Sequence, residues 1–232
     1  MNRINISKNY NFTLTVVLFV LFIGTMLPEE HGVIAVTTKA KGNVNHRAWN
    51  SEEYFNLLPA KSLNDGDHIQ TGDDGFGALI YLDDKSMIKI KENTNFDVMG
   101  TKNQGQISKR IKINNGTIKA SIQKGKKGGF VIETPTSVAT VKGTEFWLVT
   151  SSDGDQVFGL EGIVELKNII SEEIVMVGVD ETGTSLKTGE INVTTTDPSN
   201  VPTEDEKQEI NIFEIQFEGP NGDQKAMKIR YR

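Results

Sequence analysis

The feature that most constrains this chain is the spacing of its apolar residues. From Val33 to Val193 they come in short, β-branched runs broken by Gly, Asn and Asp, with helical spacing only over Ser51–Leu58. Runs this short do not build helices; they build strands whose side chains alternate between two faces. Ala78–Leu82 and Met87–Ile90 flank Asp83-Asp84-Lys85-Ser86 as two strands about a turn. Lys109–Ile113 and Ile118–Ile122 flank Asn115-Gly116, a hairpin signal that sets Ile113 opposite Ile118, Ile111 opposite Ala120 and Lys112 opposite Lys119. Phe130–Thr134, Ala139–Val141, Glu145–Val149, Val157–Leu160, Ile163–Leu166 and Ile174–Val179 continue the series. Phe146-Trp147-Leu148-Val149 is apolar on both faces, which marks an interior strand. The expected fold is all-β: a sandwich, roll or short solenoid of many short strands.

The two ends follow different rules. Arg3 and Lys8 precede an uncharged apolar run, Phe12–Leu27, closed by Pro28, Glu29 and Glu30. That order is a secretory one, and as an apolar helix the run spans about 24 Å, short of a ~30 Å hydrocarbon core. Residues 1–32 are therefore read as a signal peptide or a thin signal anchor. The rest is expected in the periplasm or cell envelope, either released or held by the uncleaved anchor. The β domain is assigned to 33–193, and 194–209 reads as an acidic, proline-interrupted linker. Residues 210–232 alternate again as a C-terminal β-hairpin. Its expected register sets Phe213 against Tyr231, Ile215 against Ile229 and Phe217 against Met227 around an odd-length loop.

Composition removes several chemistries. With no cysteine among 232 residues there is no disulfide, no Cys-ligated metal and no thiol nucleophile. The three histidines, His31, His46 and His68, stand apart in sequence, so no metal site is expected. No nucleophile elbow, phosphate loop or zinc-protease motif is present, and no cofactor is implied. Asp73-Asp74-Gly75 and Asp153-Gly154-Asp155 lack the ligand alternation of a calcium loop and read as turns. A net charge of −6 argues against nucleic acid as a partner.

Three blocks carry a family resemblance. They are LNDGDHIQTGDDGFGALIYLDDKSMIKI at Leu63–Ile90, FVIETPTSVATVKGTEFWLV at Phe130–Val149 and VFGLEGIVELKN at Val157–Asn168. In this order and spacing they resemble the FecR domain family, the periplasmic sensor domain of iron-dicitrate-type envelope signalling. The motif positions are Gly66, Asp67, Thr71, Gly72, Thr134, Pro135, Lys142, Gly143, Thr144, Phe146, Glu161 and Gly162. Lys142 replaces the family's usual Arg, and Lys85 stands where a turn Gly is common. The resemblance implies a standalone exported domain, without the cytoplasmic helical region that holds a sigma factor. Physically the set reads as structural. The glycines suit positive φ or close backbone approach, and Asp67, Thr71 and Thr144 carry oxygens able to accept from turn amides. Pro135 suits a strand end, and Phe146 the core.

Charge is distributed unevenly. Val98–Ile132 holds eight basic residues and no acid, whereas Ser151–Glu209 holds fourteen acidic and three basic residues, a local −11. Two readings follow: the acidic half folds across and neutralises the basic one, or Lys112, Lys119, Lys124, Lys126 and Lys127 form a ridge for an anionic ligand or partner. The FecR resemblance implies an exported, non-enzymatic interaction module in envelope signalling or assembly, working through contact with an envelope protein partner. The alternative is a binder of anionic glycan or lipid headgroups. Glycan hydrolysis ranks third, since no carboxylate pair is singled out.

Overall fold

The computed structural model describes residues 32–124 and 129–204 in full, and the backbone of 211–218 and 224–231. The leader 1–31, Lys126 and Lys127 lie outside the described residues, and with them the expected N-terminal helix. The first strands are β1 (Val33–Lys41), β2 (Val44–Arg47), β3 (Phe55–Asn56), β4 (Ser62–Asn64), β5 (Asp67–Thr71), β6 (Phe76–Tyr81), β7 (Met87–Ile90) and β8 (Asn95–Asn103). The middle ones are β9 (Gln106–Ser121), β10 (Phe130–Glu133), β11 (Ser137–Val141), β12 (Glu145–Thr150) and β13 (Gly154–Glu161). β14 (Val164–Asn168), β15 (Ile174–Val177), β16 (Glu181–Leu186) and β17 (Ile191–Thr195) close the domain. A 3-10 turn at Pro198–Asn200 follows, then β18 (Asn211–Glu218) and β19 (Gln224–Tyr231). The chain is all-β.

The ladders sort the strands into two layers through which the chain advances side by side. Sheet I runs β4–β1–β6–β7–β9–β12–β13–β16–β17. Sheet II runs β3–β2–β5–β8–β9–β10–β11–β14–β15, antiparallel except for the β9–β10 ladder. The core lies between them: Tyr81 of sheet I meets Phe130 of sheet II edge to face, with ring centroids 5.5 Å apart. Ile69, Leu79, Ile111, Ile118, Phe146 and Leu166 are fully buried there. With no disulfide to close loops, this burial carries the fold, at about 1.5–3 kcal/mol for each large side chain removed from water.

β9 belongs to both sheets and corrects the hairpin expected at Asn115-Gly116. Its first half pairs Phe96 with Ile113, and its second half pairs Ile90 with Ile118, in one continuous sixteen-residue strand. The inward phase shifts from Ile111 and Ile113 to Ile118 and Ala120, as a hairpin would also require, so the pattern suits either outcome. The decision lies in contacts the sequence does not display. Gly116 sits at φ +118, and a Cβ there would stand 2.4 Å from Thr94 Cα. The backbone bends through that gap and the strand crosses from sheet II to sheet I. Lys112 and Lys119 consequently face outward from opposite layers, not each other.

Other differences are local. Ser51–Leu58 forms no helix; it is a loop holding the two-residue β3. β16 and β17, rich in Thr, extend the expected strand series. The C-terminal residues do form a two-stranded sheet, but Phe213 pairs with Ile229 and Ile215 with Met227, two residues away from the expected register. A two-residue slip keeps every side chain on its face, so hydrophobic alternation alone does not distinguish the two pairings.

Candidate functional site

The motif positions gather at three junctions between strands. At the first, Asp67 is fully buried. It accepts from the Asn64 amide (2.9 Å) and the Trp49 amide (3.2 Å) and pairs with His46 Nε2 at 2.8 Å. Burial pushes its carboxyl up, but the bonds to His46, Asn64 and Trp49 outweigh that and hold it below the usual carboxylate range. Thr71 Oγ1 donates to the Lys91 carbonyl and accepts from the Thr94 amide. Gly66 lies at φ +83, and Gly72 packs against Asn43. At the second, Thr134 Oγ1 accepts from the Thr136 and Ser137 amides and donates to Asp155, tying the exposed Pro135 turn to β13. Asp155, read from sequence only as part of a turn, is buried and also bonded by Thr150.

The third junction brings Gly143, Thr144, Glu161 and Gly162 together. Gly143 and Gly162 lie at φ +72 and +79, and a Cβ on Gly162 would strike Thr144 Cγ2 at 2.6 Å. The Thr144 hydroxyl departs from expectation, being buried with no hydrogen-bond partner among the described residues. The methyl side of the threonine does the packing. Phe146 is fully buried, and Lys142 is exposed.

Among the described residues of the basic stretch, Lys109, Arg110, Lys119 and Lys124 hold carboxylates. Lys119 Nζ lies 2.6 Å from Glu145 and also bonds Glu204, while Lys124 pairs with Glu161 at 2.5 Å. Burial lowers the Lys119 ammonium, but the bonds from Glu145 and Glu204 prevail and raise it. Hydrogen bonds from Lys119 and Lys89 in turn hold Glu204 down to about 2. Arg110 sits 3.3 Å from Glu133, and Lys112 is exposed with Asp97 and Glu133 beside it in register. Lys109 is buried against Asp83 and Asp84 at 2.8 Å each, pinning the β6–β7 turn to β9. Of the three described lysines of the expected ridge, Lys119 and Lys112 lie on opposite layers, and Lys119 and Lys124 hold carboxylates.

Glu204 also places the residues after β17. Thr196 Oγ1 bonds Thr182 Oγ1 at 2.8 Å, and Glu204 bonds Lys89 at 2.6 Å as well as Lys119. Between those anchors, on the outer face of sheet I, lie Phe158 and Trp147, in one cross-strand row with Thr182 and Lys119. Both rings face outward yet are 2% and 3% exposed. Residues 196–204, part of the acidic linker assigned to 194–209, form a strap anchored at Thr182 at one end and at Lys89 and Lys119 at the other.

The last strand of sheet II has a bare edge. β15 pairs only with β14 among the described residues. Around it Ile163, Ile170, Ile174, Met176 and Val179 are exposed, several by more than half, with Glu165, Glu172 and Glu173 at the border. A free sheet edge with flanking apolar side chains is a template for another strand. Sequence reading lists Ile174–Val179 as a strand but carries no signal that it is terminal. Among the described residues no group of three or more His, Asp or Glu is placed to hold a metal ion.

Residues 67–165, from β5 into β14, match the family model described as FecR protein. The chain carries a FecR domain. β1–β4 and β15–β17 extend both sheets beyond the matched FecR residues. Two crystal structures of a putative anti-sigma factor from Parabacteroides distasonis ATCC 8503 are similar at 14% identity, with TM-scores of 0.48 and 0.46. Each comparison covers 56% of this chain and 60% of that one. No curated protein matches the chain. Among the described residues no helix is long and apolar enough to cross a membrane.

Proposed function

We propose that this FecR domain is a non-enzymatic interaction module of envelope signalling, and that the free edge at β15 receives its protein partner. The observation that carries the reading is the apolar border of that edge: Ile170 is 64% exposed, Met176 56% and Ile174 54%. Acidic residues frame it, so the partner that fits is an extended apolar segment flanked by Lys or Arg, added as a further strand of sheet II. Export to the periplasm accords with the family and with the charged and apolar leader. The anionic-polymer reading has less to rest on, because Lys119 and Lys124 spend their charge on carboxylates of the same chain.

A photo-reactive residue at Met176, expressed in the native envelope, should give one discrete protein adduct, whereas the same probe at Gln156, exposed on sheet I, should give none. Adducts from both positions, or from neither, overturn the assignment. A cytoplasm-dependent reporter fused after Asn168 should be silent; full activity there overturns export.

A further inference from the structure

The outer face of sheet II carries a second surface with different chemistry. Register places Asn56 of β3 beside Asn45 of β2, Asn45 beside Gln70 of β5, Gln70 beside Asn95 of β8, and Asn95 beside Asn115 of β9. Asn56, Asn45, Gln70 and Asn95 thus stand in one cross-strand row of four carboxamides, stepping about 4.8 Å per strand and spanning about 14 Å; the row ends at the bulge beside Asn95, where the Asn115 amide donates to the Asn93 carbonyl at 2.8 Å. Their neighbours His46, Ile69 and Phe96 point inward, so the row faces out. Among the described residues the Asn56 and Gln70 amides, both exposed, make no intramolecular hydrogen bond. Each presents one acceptor oxygen and two donor hydrogens to whatever lies above.

The adjacent row sets the character of the surface. Tyr54 is half-exposed, with the Arg47 guanidinium 5.7 Å from its ring centroid and His68 edge-on at 5.8 Å. His68 holds Asp97 through Nδ1 at 2.6 Å, while its buried Nε2 has no partner among the described residues. Arg47, Asp97, Lys112 and Glu133 alternate in sign along this row, so their fields largely cancel.

We propose that this face binds an uncharged polysaccharide lengthwise along the amide row. Carboxamides match hydroxyl groups, which both donate and accept, and the Tyr54 ring offers an apolar surface to the C–H face of a sugar. An anionic polymer finds no net positive field here. A protein partner finds no apolar anchor along the row of the kind that dominates protein interfaces.

The test uses the exported chain and neutral glucan oligosaccharides of β-1,3, β-1,4 and α-1,6 linkage, with polygalacturonate as the charged probe. Titration should shift the side-chain amide NMR signals of Asn56 and Gln70, and binding should hardly change between low and high salt. N56A/Q70A, a change at two exposed positions, should weaken binding by about tenfold while the melting temperature stays put. The proposal is overturned if no neutral glucan binds the parent chain, if the double variant binds as well as the parent, or if only polygalacturonate binds and salt abolishes it.

Discussion

Replacing Gly116 by Ala tests the bend that carries β9 between the two sheets. The new methyl would stand 2.3 Å from Thr94 Oγ1 and 2.4 Å from Thr94 Cα, at a φ of +118. Two costs follow. An L-residue held in that backbone region loses about 1–3 kcal/mol. Thr94 cannot yield alone, because its Oγ1 accepts from the Thr117 amide at 3.0 Å and its amide donates to Thr71 Oγ1 at 2.9 Å. Displacing it weakens both bonds, at about 1 kcal/mol each. The expected loss is about 4 kcal/mol, read in urea as a fall in midpoint of about 2 M at a slope near 2 kcal/mol/M. Thr94→Gly in the same background should recover part of it, since the Thr94 side chain supplies two of the three close atoms. If Asn115-Gly116 were instead the tip of a hairpin, the added methyl would meet solvent and cost about 1 kcal/mol. A measured loss that small, with no recovery in the double variant, refutes the continuous strand.

Glu204→Gln removes one anchor of the strap and should speed proteolytic cleavage within 196–204, with a change in global stability under about 1 kcal/mol because the carboxylate is partly exposed. The same bond has a pH signature. The folded carboxyl sits near 2, below its ordinary 4.5, so its contribution is complete above 4.5 and is lost as pH falls toward 2. Cleavage of the parent chain should therefore accelerate over that window, and cleavage of the variant should not. Lys85 occupies φ +63, a conformation costly to L side chains. Lys85→Gly should accordingly raise stability by about 0.5–1 kcal/mol in the same urea assay, and a loss would contradict the turn geometry.

Some of this architecture is legible residue by residue. Alternation of apolar and polar side chains in runs such as Met87–Ile90 depends only on the two-residue repeat of a strand, so strand identity and the all-β class are written locally. So are the turn at Asp83–Ser86, the interior character of Phe146–Val149 and the glycines at Gly66, Gly143 and Gly162. The FecR blocks are legible for the same reason: each is a strand-turn-strand unit whose turn chemistry is confined to a few consecutive residues.

What the tertiary structure decided is which strand lies beside which. Asn115-Gly116 suits a hairpin tip and a strand bend equally well, and only the approach of Thr94, twenty-two residues away in sequence, selects the bend. That choice sends Lys112 and Lys119 to opposite layers. The acidic segment after β17 reads as a linker because its residues are polar. It becomes a strap because Lys89 and Lys119, brought side by side by the β7–β9 ladder, offer Glu204 two ammonium groups at once. The amide row and the bare edge at β15 arise the same way. Asn45, Asn56, Gln70 and Asn95 are scattered through about fifty residues, and nothing local marks β15 as last in its sheet. Strand order is fixed by long-range pairing across the whole core, and such pairing leaves no periodic trace in any one segment.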